Sequence, residues 1–177
     1  VAQAILRAHR KGASVMGICG GYQMMGMEVR DPDGVEGDIR QLPGLGLLPM
    51  ITTMQGEKVT RRVAFHFRDN ETVCRGYEIH MGETELVPGS PVSPLNKLED
   101  GKADGYFVDR KCMGSYIHGI LDNQVFIDFL LEPYADKLHR QSQDYEAYKE
   151  EQYDKLAAHV RKHLNLPLLY QIMCKND

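Results

Sequence analysis

The pattern of apolar and polar positions divides the first 27 residues into a helix, a buried strand and a second helix. Apolar residues share one helical face over 1–11, and basic residues follow, as suits a helix C-terminus. The apolar run over 14–18 is typical of a buried strand, and helix-compatible residues return over 20–27. The pattern therefore predicts a strand–turn–helix unit centred on Cys19.

Strand patterns dominate the middle of the chain. Apolar runs or apolar–polar alternation predict strands over 47–54, 57–67, 72–81, 106–109 and 112–118. Gly, Pro and Asp make 31–48 mostly loop, and the prolines within 87–105 predict a surface connection. His66 alternates with Phe65 and Phe67, so we expect its side chain to face solvent on the other side of the strand.

Helical patterns return in the last third of the chain. One helix is predicted to start with a cap at Asp122 or Asn123 and to end before Pro133, and another covers 142–165. This mixture of helices and strands predicts an α/β fold, an open, mostly parallel or mixed sheet flanked by helices.

Composition narrows the class of protein. The 177 residues are 42% hydrophobic and 26% charged, which fits one globular domain over 1–177 with a C-terminal helical extension over 142–177. A formal charge of −4 gives no electrostatic drive towards nucleic acid or anionic membranes, and no run approaches the roughly 18 apolar residues of a membrane span. The four cysteines form no C-x-x-C pair or zinc spacing, so we expect a reducing, cytoplasmic location. The chain opens on helical sequence without Met, so we expect it to belong to a longer polypeptide.

The residues around Cys19 have the spacing of a turn that displays a nucleophile. Such a sharp strand-to-helix turn needs small residues two positions before and two after the nucleophile, because its two arms nearly touch. Gly17 and Gly21 occupy these positions. The N-terminus of the next helix favours a thiolate, and the Gly20 N–H can hydrogen-bond a developing oxyanion.

Two other interpretations fit the same turn. Free cysteine is among the residue types most often buried, so Cys19 can also be a structural thiol in a glycine-rich turn. Glycines can also bind phosphate, but no Gly-Lys-Ser/Thr follows, which disfavours a P-loop.

A thiolate nucleophile needs a base, and His118 is the candidate. It ends an apolar strand, where α/β folds place active-site groups, although a hydrogen-bonded structural histidine also fits this place. We expect solvated positions for the histidines on helical patterns, which are His9, His139, His159 and His163. Glu78 and His80 share one strand face, where they can line a pocket or orient each other. No third potential ligand lies at a spacing typical of a metal site, so we predict no metal site.

Four motifs together resemble a known family. They are Gly17-Ile-Cys-Gly-Gly-Tyr-Gln-Met-Met-Gly26, Gly44-Leu-Gly-Leu-Leu-Pro49, Gly76-Tyr-Glu-Ile-His-Met-Gly82 and Tyr116-Ile-His-Gly119. In this order they resemble the C-terminal glutaminase domains of the cobyric acid synthase family, within the triad (class I) glutamine amidotransferases. The resemblance covers nearly the whole chain. The first motif alone marks the wider superfamily, and the third narrows it to the cobyric acid and cobyrinic acid diamide synthases.

The resemblance implies a role for each matching position. Cys19 attacks the side-chain amide of glutamine, and His118 takes the thiol proton and returns it to the leaving ammonia. Water then hydrolyses the glutamyl thioester. The Gly20 N–H is one oxyanion donor, and Gln23 helps to hold the glutamine. The segment with Glu78 and His80 is expected to face the same pocket.

Two departures from the superfamily pattern matter. Ile120 stands where the wider superfamily has the glutamate that orients the catalytic histidine. The cobyric acid synthase branch also lacks this glutamate. We therefore predict a Cys–His dyad, with Glu78 and Asp122 as candidate substitutes for that glutamate. Family members also have strands before the nucleophile strand, including a loop with a second oxyanion donor, and these do not precede Val1. Losing one such donor typically costs about 10²–10³ in rate, so we expect the chain alone to be slow or inactive.

The resemblance also implies partners for this N-terminally truncated domain. They are glutamine, an upstream ATP-binding synthetase domain of the same polypeptide, and the corrinoid substrate of that domain, adenosylcobyrinic acid a,c-diamide. ATP and Mg²⁺ are implied for the synthetase domain, and no cofactor is implied for this chain. Two alternatives stay open: a glutaminase for cobyrinic acid a,c-diamide synthesis or cell-wall lipid amidation, and a non-catalytic domain with the same fold.

Overall fold

The structure, a computed structural model, describes residues 1–137 and 145–174. They divide into a larger unit, Val1–Pro133, and a smaller one, Tyr134–Asp177. The helices and strands in chain order are α1 (Ala2–Arg10), β1 (Val15–Ile18), α2 (Gly20–Met25), β2 (Glu28–Arg30), β3 (Gln41–Pro43), β4 (Met50–Phe67), β5 (Val73–Leu86), β6 (Asn96–Leu98), β7 (Ala103–Asp104), β8 (Tyr106–Asp109), β9 (Cys112–Ser115), β10 (Ile117–His118), α3 (Gln124–Leu131), α4 (Tyr145–His163) and α5 (Leu166–Met173). Short 3₁₀ helices cover Ile120–Asp122 and Glu132–Lys137.

Two open sheets form the larger unit. The first has the order β1-β9-β8, with β1 parallel to β9 and β8 antiparallel to β9. The second runs β10-β5-β4-β2-β3, and β6 and β7 extend it from the side of β4. The prediction of an α/β fold with open mixed sheets flanked by helices is confirmed; among the described strands, the parallel pairs are β1–β9 and β2–β4.

The strands predicted over 47–54 and 57–67 are one continuous strand, β4, so their predicted separation is wrong. Its register against β5 shifts between Met54 and Val59, where β4 carries extra residues. A bulge of this kind accommodates extra residues while the strand continues. The exposed polar stretch around Gly56 therefore marks a bulge in one strand and not a turn between two.

The connection predicted over 87–105 is more ordered and more buried than its prolines suggest. Leu95 is fully buried in the core, and β6 and β7 lie within this range. β6 pairs with the end of β4 and places Lys97 opposite His66. His66 is half-buried and does not face solvent as expected. The sequence pattern does not reveal the neighbouring strand β6, so it overstates the exposure of His66.

The main core lies between the ends of β4, β5, β6, β9 and β10 and helix α3. Its fully buried side chains include Phe65, Leu95, Ile117, Ile120 and Phe126. Since Ile117 and Ile120 flank His118 in the chain, burial of these two side chains anchors the predicted base to the core.

The predicted helix caps and the C-terminal helix agree with the structure in part. Asn123 precedes α3, as one of the two predicted cap residues. The helix predicted over 142–165 corresponds to α4, and residues 142–144 lie outside the described part of the chain. None of the described helices is long and apolar enough to cross a membrane. The assignment of 142–177 as an extension of one domain stays a prediction.

Candidate active site

Cys19 lies at a strained turn between β1 and α2. Its φ of 53° is in the left-handed region, which a residue with a side chain rarely adopts. Backbone hydrogen bonds hold the turn on both sides: the Cys19 N–H donates to the Ser115 carbonyl at 2.9 Å, and the Gln23 N–H donates to the Cys19 carbonyl at 3.1 Å. Strain that is held in place by surrounding structure is common at functional sites.

The two flanking glycines differ in their steric role. A Cβ added at Gly17 would lie 2.6 Å from the Gly21 carbonyl oxygen and 2.7 Å from the Met25 sulfur, so the arms of the turn do approach closely. A Cβ at Gly21 would meet nothing within 4 Å. The prediction that side-chain size is restricted at both positions therefore holds at Gly17 and is wrong at Gly21, whose backbone makes the close approach.

The Cys19 thiol is accessible. The residue is half-buried, and its sulfur donates a hydrogen bond to the Ile79 carbonyl on β5 at 3.2 Å. The thiol lies in the wall of a cleft of about 720 Å³. The same wall includes Gly20, Gln23, Lys58, Ile79 and His80. A purely structural thiol packed in hydrocarbon does not fit this environment.

His118 does not line the Cys19 cleft, but it contacts the same strand, β5, that the thiol contacts. It pairs with Tyr77 in the β10–β5 ladder, and its ring stacks on the Tyr77 ring with centroids 5.0 Å apart. The Tyr77 ring contacts the imidazole and the Ile79 carbonyl accepts from the thiol, so one short stretch of β5 contacts both groups. Within the part of the chain that the structure describes, the buried Nε2 atom of His118 has no hydrogen-bond partner.

The glycines that flank the third motif have separate steric roles. A Cβ at Gly76 would lie 2.4 Å from Ile117 and 2.6 Å from the His118 carbonyl oxygen. A Cβ at Gly82 would lie 2.4 Å from the Gln23 amide nitrogen. One glycine therefore lets β10 lie close to β5, and the other makes room for Gln23 beside the cleft.

Glu78 lines a second cavity and is not among the residues that line the Cys19 cleft, and its contact with glutamine stays a prediction. Its carboxylate is buried and accepts a 2.5 Å hydrogen bond from the Arg61 guanidinium, whose pKa this bond raises. Alternation along β5 puts Glu78 on the face opposite Tyr77 and its stacked partner His118. This placement does not favour Glu78 as the carboxylate that orients His118.

His80 lies between two cavities. It lines the Cys19 cleft and a second cavity of about 920 Å³, which Glu78 also lines. Its ring stacks on Tyr116 with centroids 3.8 Å apart. Its Nδ1–H donates to the Gly82 carbonyl at 2.9 Å, so Nε2 is the acceptor when the ring is neutral. The predicted sharing of one strand face by Glu78 and His80 is confirmed.

Gln23 is held by a row of hydroxyl groups. Its amide nitrogen donates to the Tyr116 hydroxyl at 3.2 Å. That hydroxyl lies 2.5 Å from the Thr84 hydroxyl, which lies 2.7 Å from the Thr52 hydroxyl. Burial raises the pKa of Tyr116, so this hydroxyl keeps its proton and can still donate. The row fixes Gln23 beside Cys19, as its predicted role requires.

The structure also reveals one buried acid that the sequence does not suggest. Asp104, within the predicted surface connection, is buried and accepts hydrogen bonds from Ser115 and from the Tyr116 N–H. Its sequence neighbours give no signal of burial. Asp122 stays a candidate for orienting His118, since its carboxylate lies 3.6 Å from the Cβ position of Gly119.

The histidines on the predicted helices differ in exposure. His159 and His163 are exposed as predicted, whereas His9 is half-buried and contacts the Ala13 carbonyl at 3.2 Å, because the turn that ends α1 folds back on it. His139 lies outside the described residues. Across 1–137 and 145–174, no group of three or more His, Cys, Asp and Glu side chains could hold a metal ion.

Comparison with known sequences gives a consistent set of relatives. The sequence profile of the CobB/CobQ-like glutamine amidotransferase domain matches residues 1–126. Cobyric acid synthase of Phocaeicola vulgatus is 75% identical over 178 residues, which cover 100% of this chain and 36% of that protein. Cobyric acid synthases of Bacteroides fragilis and Parabacteroides distasonis are 70% and 50% identical, covering 100% and 96% of this chain and 36% and 35% of those proteins. The chain thus spans little more than a third of these curated relatives.

A solved structure supports the fold alone. It is described as the crystal structure of glutamine amidotransferase, and it has a TM-score of 0.50 and 19% sequence identity. The match covers 74% of this chain and 66% of that chain.

Proposed function

Because the chain belongs to the CobB/CobQ-like glutamine amidotransferase family, we propose that it hydrolyses glutamine, with Cys19 as nucleophile and His118 as base. The observation that carries this proposal is the strained turn at Cys19. It presents the thiol to a cleft beside the strand on which the His118 ring packs. An imidazole nitrogen without a hydrogen-bond partner among the described residues suits a group that must accept a proton.

The reaction follows from these positions. The thiol leaves the Ile79 carbonyl and gives its proton to Nε2 of His118, while the sulfur attacks the amide carbon of glutamine. The Gly20 N–H stabilises the oxyanion. The C–N bond then breaks, His118 returns the proton to the departing nitrogen, and ammonia leaves. Water, deprotonated by His118, hydrolyses the thioester to glutamate and restores the thiol.

The cleft has the charges that a free amino acid requires. Lys58 contributes a cation to its wall, and Glu36 and Asp38 contribute anions. In the proposed complex Lys58 faces the α-carboxylate of glutamine, and the two acids face its α-ammonium group. Gln23, fixed by Tyr116, offers its amide oxygen to the substrate side chain.

For the whole protein we propose the activity named in its relatives, cobyric acid synthase. The ammonia would pass to another part of the polypeptide, which would use ATP and Mg²⁺ to amidate carboxylates of adenosylcobyrinic acid a,c-diamide. The identity of 75% to one cobyric acid synthase favours this substrate over cobyrinic acid or cell-wall lipid precursors. ATP and Mg²⁺ belong to that other part and have no role in the chemistry at Cys19.

The test uses the full-length protein with either glutamine or ammonium as nitrogen donor. Cys19→Ala should abolish amidation from glutamine and leave amidation from ammonium intact. Cys174→Ala, at an exposed cysteine, is the matched control and should leave both unchanged. Glutamine use that survives in Cys19→Ala would show that another group is the nucleophile. A parent protein that amidates from ammonium but not from glutamine would favour a non-catalytic domain.

A further inference from the structure

The chain changes sheets between the two proposed catalytic residues. β9 ends at Ser115 beside β1, and β10 begins at Ile117 beside β5, with Tyr116 alone between them. At such a crossing, backbone N–H groups leave one hydrogen-bonded ladder before they join the next. A buried N–H without a partner costs free energy, so the crossing needs acceptors from elsewhere.

Buried side chains supply these acceptors. Asp104 accepts hydrogen bonds from the Tyr116 N–H at 2.9 Å and from the Ser115 hydroxyl at 2.6 Å. The Ser115 hydroxyl oxygen accepts from the Ile117 N–H at 2.9 Å. Asn96 donates to the same carboxylate at 2.8 Å. Ser115 is 0% exposed and Asp104 6% exposed, so water does not compete for these bonds.

The crossing also connects directly to both proposed catalytic residues. The Ser115 carbonyl accepts the Cys19 N–H, and His118 follows Ser115 by three residues. A shift of Ser115 therefore displaces the turn that carries the thiol and the short strand that carries the imidazole.

We propose that Asp104 and Ser115 are positioning residues, which set the separation of the Cys19 thiol and the His118 imidazole. This inference rests on the proposed function, since it assigns the two residues a part in the same reaction. It predicts that weakening the crossing slows the chemical step, because misplacing reacting groups by about 1 Å can cost about 100-fold in rate. Glutamine binding should change little, because neither side chain lines the Cys19 cleft.

The experiment measures glutamine hydrolysis by the full-length protein carrying Asp104→Asn or Ser115→Ala. Asparagine keeps the shape of the Asp104 side chain but replaces one acceptor oxygen with a donor. Alanine removes the Ser115 hydroxyl, while the backbone carbonyl that accepts the Cys19 N–H stays. Active sites are titrated with a chloroketone analogue of glutamine, so that turnover is expressed per reactive Cys19. We expect kcat per titrated site to fall about 10- to 100-fold in Asp104→Asn and less in Ser115→Ala, with KM within about threefold of the parent.

Asp109→Asn is the matched control, because this exposed acid in the neighbouring β8–β9 hairpin can be replaced with the same change in charge. It should leave kcat and KM unchanged. A kcat per site within twofold of the parent in both variants would overturn the inference, and if Asp104→Asn does not fold, Ser115→Ala decides alone. Failure of the proposed function would give a different result, because Cys19→Ala would then still use glutamine.

Discussion

At the scale of single residues, a strained backbone and a reachable thiol coincide at Cys19. A left-handed conformation at a residue with a side chain costs about 1–3 kcal/mol, and it persists because backbone hydrogen bonds to Ser115 and Gln23 hold the turn. The conformation turns the sulfur towards the cleft and the edge of β5. Strain at this position therefore has a chemical consequence, which is presentation of the nucleophile.

The steric difference between Gly17 and Gly21 gives a paired prediction. Gly17→Ala should lower the free energy of unfolding by about 1–3 kcal/mol, since its Cβ would meet backbone atoms that cannot move aside. Gly21→Ala should not lower it, because its Cβ enters open space and alanine favours the helix. Urea unfolding of the two variants measures the difference. Equal destabilisation by both substitutions would contradict the steric account.

The imidazole of His118 gives a second prediction. His118→Ala should reduce glutamine-dependent turnover by about 10²–10⁴-fold, the usual contribution of a general base, and should leave ammonium-dependent turnover unchanged. The control is His159→Ala, at an exposed histidine on α4. The measurement is ammonia release from glutamine, and a turnover close to that of the parent would remove His118 from the mechanism.

At the scale of elements, strand β5 organises the site. The Ile79 carbonyl accepts from the thiol, and the Tyr77 ring stacks on the imidazole. Glu78 and His80, on the face opposite Tyr77, line the second cavity, and His80 also lines the Cys19 cleft. Local alternation predicts that Glu78 and His80 share a face. It does not predict which face meets the nucleophile, because that depends on how β5 pairs with β4 and β10. The sequence therefore does not reveal that Glu78 pairs with Arg61 beside the second cavity.

Asn123 links β5 by hydrogen bonds to the segment around the 3₁₀ helix Ile120–Asp122, which follows β10. Its amide oxygen accepts from the Arg75 N–H at 2.8 Å, and its amide nitrogen donates to the Arg75 and Gly119 carbonyls at 2.9 and 3.0 Å. Asn123→Ala should lower the free energy of unfolding by about 1–2 kcal/mol, because the exposed Arg75 backbone groups and the half-buried Gly119 carbonyl lose these hydrogen bonds. Gln124→Ala, at an exposed neighbouring residue, should change it by less than about 0.5 kcal/mol. Similar urea midpoints for the two variants would contradict this fastening role.

At the level of the whole molecule, the larger unit contains two sheets, and the chain passes between them at several places, among them the buried polar crossing from β9 to β10. β1 and β9 belong to one sheet and β5 and β10 to the other, and Tyr116 alone separates β9 from β10. The proposed nucleophile and base thus come from different sheets. Their alignment depends on the integrity of the fold around Asp104 as well as on local turns.

The buried carboxyl group of Asp104 predicts a pH dependence of stability. Burial raises its pKa in the folded protein, although hydrogen bonds from Ser115, Asn96 and the Tyr116 N–H oppose the rise. A raised pKa means that the folded state holds the proton more tightly. The contribution of Asp104 to the free energy of unfolding is therefore complete below the unfolded pKa of about 3.9. It declines as the pH rises through the folded pKa.

Urea unfolding of the parent and of Asp104→Asn at several pH values checks this sign. The difference in free energy of unfolding between the two proteins should be largest near pH 4 and should shrink as the pH rises, because asparagine does not titrate. A difference that grows with pH would show that Asp104 is stabilised in its ionised form.

Features with local signals can be predicted from the amino-acid sequence alone. An apolar run followed by glycines around Cys19 is enough to predict the turn, since strand, turn and helix signals extend over only a few residues. The family motifs add His118 and Gln23. The burial of Asp104 and the pairing of Glu78 with Arg61 follow from tertiary packing alone. Burial and facing depend on which distant strands pair, and the partners of Asp104 come from β6 and from the crossing that follows β9.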